Sequence, residues 1–164
     1  MTLGFDDVAI EGEHAPYSAP LPTVYGGLTW SAGAGLQVAD ADAYAFLFPF
    51  APSSGSQAAF NGAVPADVEV LTPCGRFDVL GARFRTWGEA PTGTVSVSGW
   101  EGGTKKYQAG PFVIDRNFRP ITLRWKGIDR LVIQAPALYL MDDFRYALSV
   151  PATPCASAGE TAMP

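Results

Sequence analysis

The sequence predicts an all-β chain folded as an antiparallel β-sandwich, most simply a jelly roll. Three observations lead there. Apolar residues recur at every second position through short runs, the period of a half-buried strand. Eighteen glycines and fourteen prolines fall between those runs, where turns belong. No stretch keeps three-four apolar spacing for more than one turn, so no helix is expected.

Taken in order, Leu3 to Val8 and Gly27 to Ser31 read as strands, and Ala43 to Phe50 as another. Residues 33–66 are otherwise irregular and read as long loops. Val79 to Trp87 alternates, with Leu80, Ala82 and Phe84 on one face and Arg83, Arg85 and Trp87 on the other. Gly88 to Gly93 is a turn. Thr94 to Trp100 then points Val95, Val97 and Gly99 one way and Ser96, Ser98 and Trp100 the other. Pairing the two runs about that turn sets Arg85 opposite Ser96 and Arg83 opposite Ser98, with dry and wet faces in register. A second turn, Glu101 to Thr104, leads to Lys105–Ala109. It places Lys105 near Trp100 and Tyr107 near Ser98, which completes a three-stranded meander with one polar face. Pro120 to Lys126 directs Ile121, Leu123 and Trp125 inward. Gly127-Ile128-Asp129 turns the chain into Arg130–Ala135. Leu138 to Leu148 is the last strand, with Leu140, Phe144 and Tyr146 sharing a face. Trp30 and Trp125 belong to the core. There is no internal repeat. Residues 1–150 are expected to form the single domain, and 151–164 a flexible tail.

Composition narrows the function. At 48% apolar and 16% charged residues the chain is globular. No apolar run reaches the ~18 residues of a membrane helix. Eleven basic residues against sixteen acidic ones, net charge -5, argue against a nucleic-acid partner, which rewards a dense basic face. Cys74 and Cys155 are too far apart for a zinc motif. They are either one long-range disulfide of an exported protein or two unrelated thiols. Met1-Thr2-Leu3 runs straight into the first strand without a visible leader, as in an exported chain stripped of its signal or in a cytosolic one. Nothing in the sequence sets the oligomeric state.

A series of landmarks follows the strands: Gly4-Phe5-Asp6-Asp7, Tyr25-Gly26-Gly27-Leu28-Thr29-Trp30-Ser31, Ala59-Phe60-Asn61-Gly62, Phe77-Asp78-Val79, Val97-Ser98-Gly99-Trp100-Glu101-Gly102-Gly103, Trp125-Lys126-Gly127-Ile128-Asp129-Arg130 and Met141-Asp142-Asp143-Phe144. Their order over residues 3–148 resembles a group of largely uncharacterised secreted bacterial and fungal proteins, some carrying a C-terminal sorting signal. That group in turn resembles jelly-roll carbohydrate-binding modules. The resemblance implies a secreted or cell-surface location and a jelly roll, and supplies no activity. The sorting signal itself does not occur in this sequence.

Two constellations carry the expected chemistry. Asp6, Asp7, Asp142 and Asp143 lie near the two chain ends, on strands expected to be neighbours. Calcium takes six to eight oxygens, and jelly-roll modules often brace themselves with one in this region. Alternation lets at most one aspartate of each pair face such a site, and the other reading is that these residues cap turns or face water. The polar meander face, Arg83, Arg85, Trp87, Trp100, Lys105 and Tyr107, offers aromatic rings for sugar stacking and cations for an acidic glycan. The other reading is cross-strand cover, or burial under a loop from residues 33–66. His14, the one histidine, lies in Glu13-His14-Ala15-Pro16 with no serine motif near it, and no catalytic apparatus is recognisable. The leading expectation is a non-catalytic module for a glycan or polysaccharide with a structural calcium. The alternatives are an adhesive module that contacts protein, and a polysaccharide-active enzyme built on loop carboxylates and His14.

Overall fold

The computed structural model describes residues 1–32, 36–62, 67–72 and 74–149. The expected tail, 151–164, lies outside them, as does Cys155. Cys74 is disulfide-bonded.

The strands are β1 (Thr2–Leu3), β2 (Ser18–Pro20), β3 (Val24–Tyr25), β4 (Leu28–Ala32), β5 (Leu36–Asp40), β6 (Gln57–Asn61), β7 (Val68–Leu71), β8 (Arg76–Thr86), β9 (Thr92–Glu101), β10 (Thr104–Asp115), β11 (Arg119–Ile128), β12 (Arg130–Gln134) and β13 (Tyr139–Ser149). They form two antiparallel sheets. One runs β11-β8-β13-β6-β5-β2, with β1 also on β13; the other runs β10-β9-β12-β7-β4-β3. From β6 onward the chain crosses between the sheets at every connection except the β9–β10 hairpin, as in a jelly roll. The chain is therefore an antiparallel β-sandwich of jelly-roll type. The first and last strands are neighbours, Leu3 opposite Phe144.

The core lies between the sheets. Val38, Ala59, Met141, Phe84 and Ile121 from one sheet meet Val68, Val70, Leu131, Ile133, Val95 and Val97 from the other. Trp30 and Trp125 are buried in it, as the alternation implies. Trp125 stacks on Tyr107 at 5.3 Å and 11°. Gly99 makes room for this pair, because a Cβ there would stand 3.1 Å from Trp125 and 3.3 Å from Tyr107.

Several expectations are corrected. Val79–Trp87 and Thr94–Trp100 do not form a hairpin, because β8 and β9 belong to different sheets. Alternation says which face of a strand is dry, and an arch between sheets satisfies it as well as a hairpin does. Leu80 is exposed, because the pairing of β8 with β13 slips at this point and Gly81 takes φ 142°. Leu140 faces out of the sandwich while Phe144 and Tyr146 face in. The strand slips by one residue at Asp143, which has φ 50°, and one slipped residue exchanges faces. Tyr107 turns inward for the same reason, at a shift between Lys105 and Tyr107. The first strand stops at Leu3, since Phe5 has φ 65°.

Ala43–Phe50 is not a strand. A helical turn, α1 (Ala41–Tyr44), begins where the Asp40 carboxylate accepts the Ala43 N–H at 2.9 Å, a standard N-cap. Leu47 and Phe48 N–H groups then bond to the Tyr44 carbonyl. This segment lies on the outer face of the larger sheet. There Ala39, Ala58, Phe60 and Leu140 form a second core with Tyr44, Phe50, Trp87 and Phe118 packed against it.

Candidate functional site

The second core divides the outer face of the larger sheet into two clefts. Cross-strand pairing sets Arg85, Leu140, Phe60, Gln37 and Pro20 in one row across β8, β13, β6, β5 and β2. Trp87 covers the middle of it, with its ring 4.5 Å from Phe60, 5.3 Å from Tyr44 and 5.5 Å from Phe48. The larger cleft, about 520 Å³, opens at the β2 end between loop 12–17 and α1. Its lining includes His14, Tyr17, Gln37, Tyr44 and Phe60, with Glu13 at the loop. Tyr17 is held by its own backbone: its N–H donates to the His14 carbonyl at 2.9 Å and its carbonyl accepts from Asp40 N–H at 3.0 Å. Its ring meets Tyr44 edge-on at 5.5 Å. Ser18 Oγ donates to Gln37 Oε1 at 3.1 Å and orients that amide. The cleft therefore brings two tyrosine rings together with an amide, a hydroxyl, an imidazole and a carboxylate, beside the apolar Leu47 and Phe60.

The smaller cleft, about 390 Å³, lies at the other end of the row and is lined by Pro49, Phe50, Arg85, Arg116, Asn117 and Phe118.

The six residues expected to share one polar face are split three ways. Arg83, Arg85 and Trp87 belong to the larger sheet. Arg83 pairs with Asp143 at 3.3 Å, while Arg85 and Trp87 go under the 41–50 segment. Trp100 and Lys105 lie on the outer face of the smaller sheet, opposite each other as expected. Tyr107 is on the inner face. Sequence reading missed Arg130, which pairs with Trp100 from β12. The Lys105 and Arg130 charges lie 5.3 and 4.5 Å from the Trp100 ring centroid. A sugar would have to displace one of these cation–π contacts to stack on that ring. Tyr17, Gln37 and Tyr44 were also missed. The signal for Tyr44 was the aromatic run Tyr44, Phe46, Phe48 and Phe50, set at every second residue as in a strand; Tyr17 and Gln37 carried no such signal.

The four aspartates separate into two kinds. Asp7 accepts the Tyr25 hydroxyl, and Asp143 is engaged by Arg83 and Ser53. Asp6 and Asp142 converge on Gly4. Around the position a Cβ on Gly4 would take stand Ser54 Oγ at 2.8 Å, Asp6 Oδ2 at 2.9 Å and Asp142 Oδ1 at 3.9 Å. These are hard oxygen donors of the type calcium takes. The same two carboxylates cap loop 53–57. Asp142 accepts the Ser53, Ser54 and Asp143 N–H groups at 2.8, 3.0 and 2.7 Å, and Asp6 accepts those of Ser56 and Gln57 at 2.7 and 3.0 Å. Among the described residues no three His, Cys, Asp or Glu side chains are grouped as metal ligands. A cation here would rest on two carboxylates, a hydroxyl and backbone carbonyls.

No protein-family model and no curated protein matches the sequence. Among solved structures the chain is similar to TmCBM61, a carbohydrate-binding module solved with β-1,4-galactotriose. Identity is 15% over 76% of this chain and 90% of that one, with a TM-score of 0.41. It is also similar to the enzymatically active domain of the bacteriophage CBA120 tailspike protein 4. There identity is 13% over 76% of this chain and 20% of that one, with a TM-score of 0.37. No described helix is long and apolar enough to cross a membrane.

Proposed function

We propose that this chain is a non-catalytic carbohydrate-binding module that holds its ligand in the cleft between loop 12–17 and α1. The observation that supports this reading is the cleft itself: Tyr17 and Tyr44 beside Gln37, Ser18, His14 and Glu13. Sugar rings have apolar faces that pack on aromatic rings, and hydroxyls that exchange hydrogen bonds with amides, imidazoles and carboxylates. Two hydrogen bonds fix the Tyr17 backbone and its ring packs edge-on against Tyr44, so ordering it on binding costs little.

The test is a glycan array followed by titration of the best ligand. Tyr17→Ala, at an exposed position, is expected to weaken binding about tenfold, as removal of an aromatic anchor does, with little change in Tm. Trp100→Ala is expected to leave binding intact. The reverse result moves the sugar to the smaller sheet. A blank array with a captured protein partner favours the adhesive alternative. Turnover of a polysaccharide that is lost in Glu13→Gln favours an enzyme.

The same reading carries a structural calcium held by Asp6 and Asp142 beside Ser54, which would brace loop 53–57 against the chain ends. If the free ion stands at about a hundred times its Kd, chelation removes about 2.7 kcal/mol and lowers Tm by roughly 5–10 °C. A melt unchanged by chelator leaves the two carboxylates as caps of the loop. A secreted or surface location belongs to this proposal too, supported by the disulfide at Cys74, which an oxidising compartment maintains.

A further inference from the structure

Arg85 is the unusual residue of the second cleft. It is the penultimate residue of β8 and is 6% exposed. Its Nε donates to the Thr86 carbonyl at 3.1 Å, and no carboxylate among the described residues lies within ion-pair distance of it. Its guanidinium is 5.9 Å from the Phe50 ring centroid and 6.0 Å from that of Phe118, so two aromatic rings flank it. Burial lowers its pKa, with the nearby Arg116 adding to the effect. A charge withdrawn from water with no counter-ion is costly to a fold. Glu89 and Asp115 offset this only in part, because each is engaged by another arginine. Arg116 turns to Glu89, bonding the side chain at 3.1 Å and the backbone carbonyl at 2.6 Å. Asp115 is taken by Arg119 at 2.6 Å. Arg85 and Asn117 both line the cleft, and among the described residues the Arg85 side chain donates a hydrogen bond only through Nε.

We infer that this cleft is a carboxylate seat, and that the glycan recognised by the module is acidic, with a uronate group placed against Arg85. The inference rests on the carbohydrate reading and deepens it. A guanidinium fork matches a carboxylate with two parallel hydrogen bonds, and Phe50 and Phe118 confine the group to the plane between them. Arg85 and Gln37 occupy the same cross-strand row, three strand spacings apart, on the order of 14 Å at the usual separation of neighbouring strands. The acid seat and the Tyr17–Tyr44 cleft are thus two stations on one face, to be reached by different residues of an oligosaccharide. A peptide carboxylate has the same chemistry. The sugar is favoured because the neighbouring cleft sets the Tyr17 and Tyr44 rings beside the Gln37 amide and the Ser18 hydroxyl.

The experiment titrates the full chain with trigalacturonate, with its methyl ester, and with N-acetyl-triglycine as a peptide carboxylate. Calorimetry reads affinity and NMR follows the Arg85 Nε–H signal. The acid is expected to bind roughly 10–100-fold more tightly than the ester and to shift the Arg85 signal. Arg85→Met, which fills the same space without the charge, is expected to abolish that preference and to melt no lower than the native protein. Should this variant melt lower, Arg85→Lys supplies the readout: it retains the charge, loses the fork and is expected to weaken acid binding about tenfold. Equal affinity for acid and ester, or a preference that survives in both variants, overturns the carboxylate seat and leaves the carbohydrate reading standing. No binding by either saccharide overturns the uronate seat, and a blank glycan array beside it overturns the carbohydrate reading as well. A shift with N-acetyl-triglycine alone assigns the seat to a protein partner and overturns the uronate.

Discussion

Gly81→Ala is expected to be the most damaging single substitution, lowering stability by about 4 kcal/mol. Gly81 has φ 142°, and a Cβ there would overlap the Ile121 carbonyl oxygen of β11. Two costs therefore add. The backbone conformation belongs almost wholly to glycine, and relieving the overlap pushes β11 off β8, where Thr122 is the partner of Gly81. Gly102→Ala is the control, because Gly102 also has positive φ, 56°, but nothing lies within 4 Å of its missing Cβ. That change is expected to cost about 1 kcal/mol. Urea denaturation of both variants separates conformational strain from collision. Equal losses would mean that β11 accommodates the methyl group, and that the slip in β8 is held by something other than this close approach.

Asp142→Ala is expected to cost about 3 kcal/mol, lowering Tm by roughly 6–12 °C. The carboxylate is fully buried, and three backbone N–H groups, those of Ser53, Ser54 and Asp143, depend on it. Removing it strands donors that secondary structure does not satisfy. Ser53→Ala deletes one hydroxyl donor and is expected to cost only about 1 kcal/mol. The carboxyl also gives the fold a pH dependence of identifiable sign. Burial raises its pKa above 3.8 against the pull of the Ser54, Ser53 and Asp143 hydrogen bonds. A carboxyl that holds its proton more tightly when folded contributes stability that is complete below 3.8 and is lost as pH rises through the raised value. In Asp142→Asn that contribution cannot titrate. The Tm advantage of the native protein over this variant should therefore shrink between pH 3 and 7. A gap that widens as pH rises would show that the donors, and not desolvation, dominate the ionisation of Asp142.

The candidate site was legible only in fragments. Trp100 and Lys105 were placed opposite each other because a four-residue turn with two glycines joins their strands, and a tight hairpin sets its own register. Asp6 and Asp142 were brought into one frame because the first and last strands pair. Arg85 was singled out for its alternation, but its setting was misread: its strand pairs with β11 and β13, not with β9. The Tyr17–Tyr44 cleft was not foreseen. Tyr17 comes from a loop and Tyr44 from a four-residue helical turn that a run of alternating aromatics had disguised.

The residues alone determined the class of fold, the membership of Trp30, Trp125, Val95 and Val97 in the core, and the β9–β10 hairpin. All of these follow from local periodicity and turn chemistry. Tertiary structure decided which sheet each strand entered, where Leu80, Tyr107 and Leu140 changed faces, and which segment covered the outer surface. The physical reason is that two-residue periodicity states only that one face of a strand is dry. One inserted residue reverses that statement for everything beyond it, and whether the dry face meets the other sheet or a covering loop is settled by contacts remote in the chain.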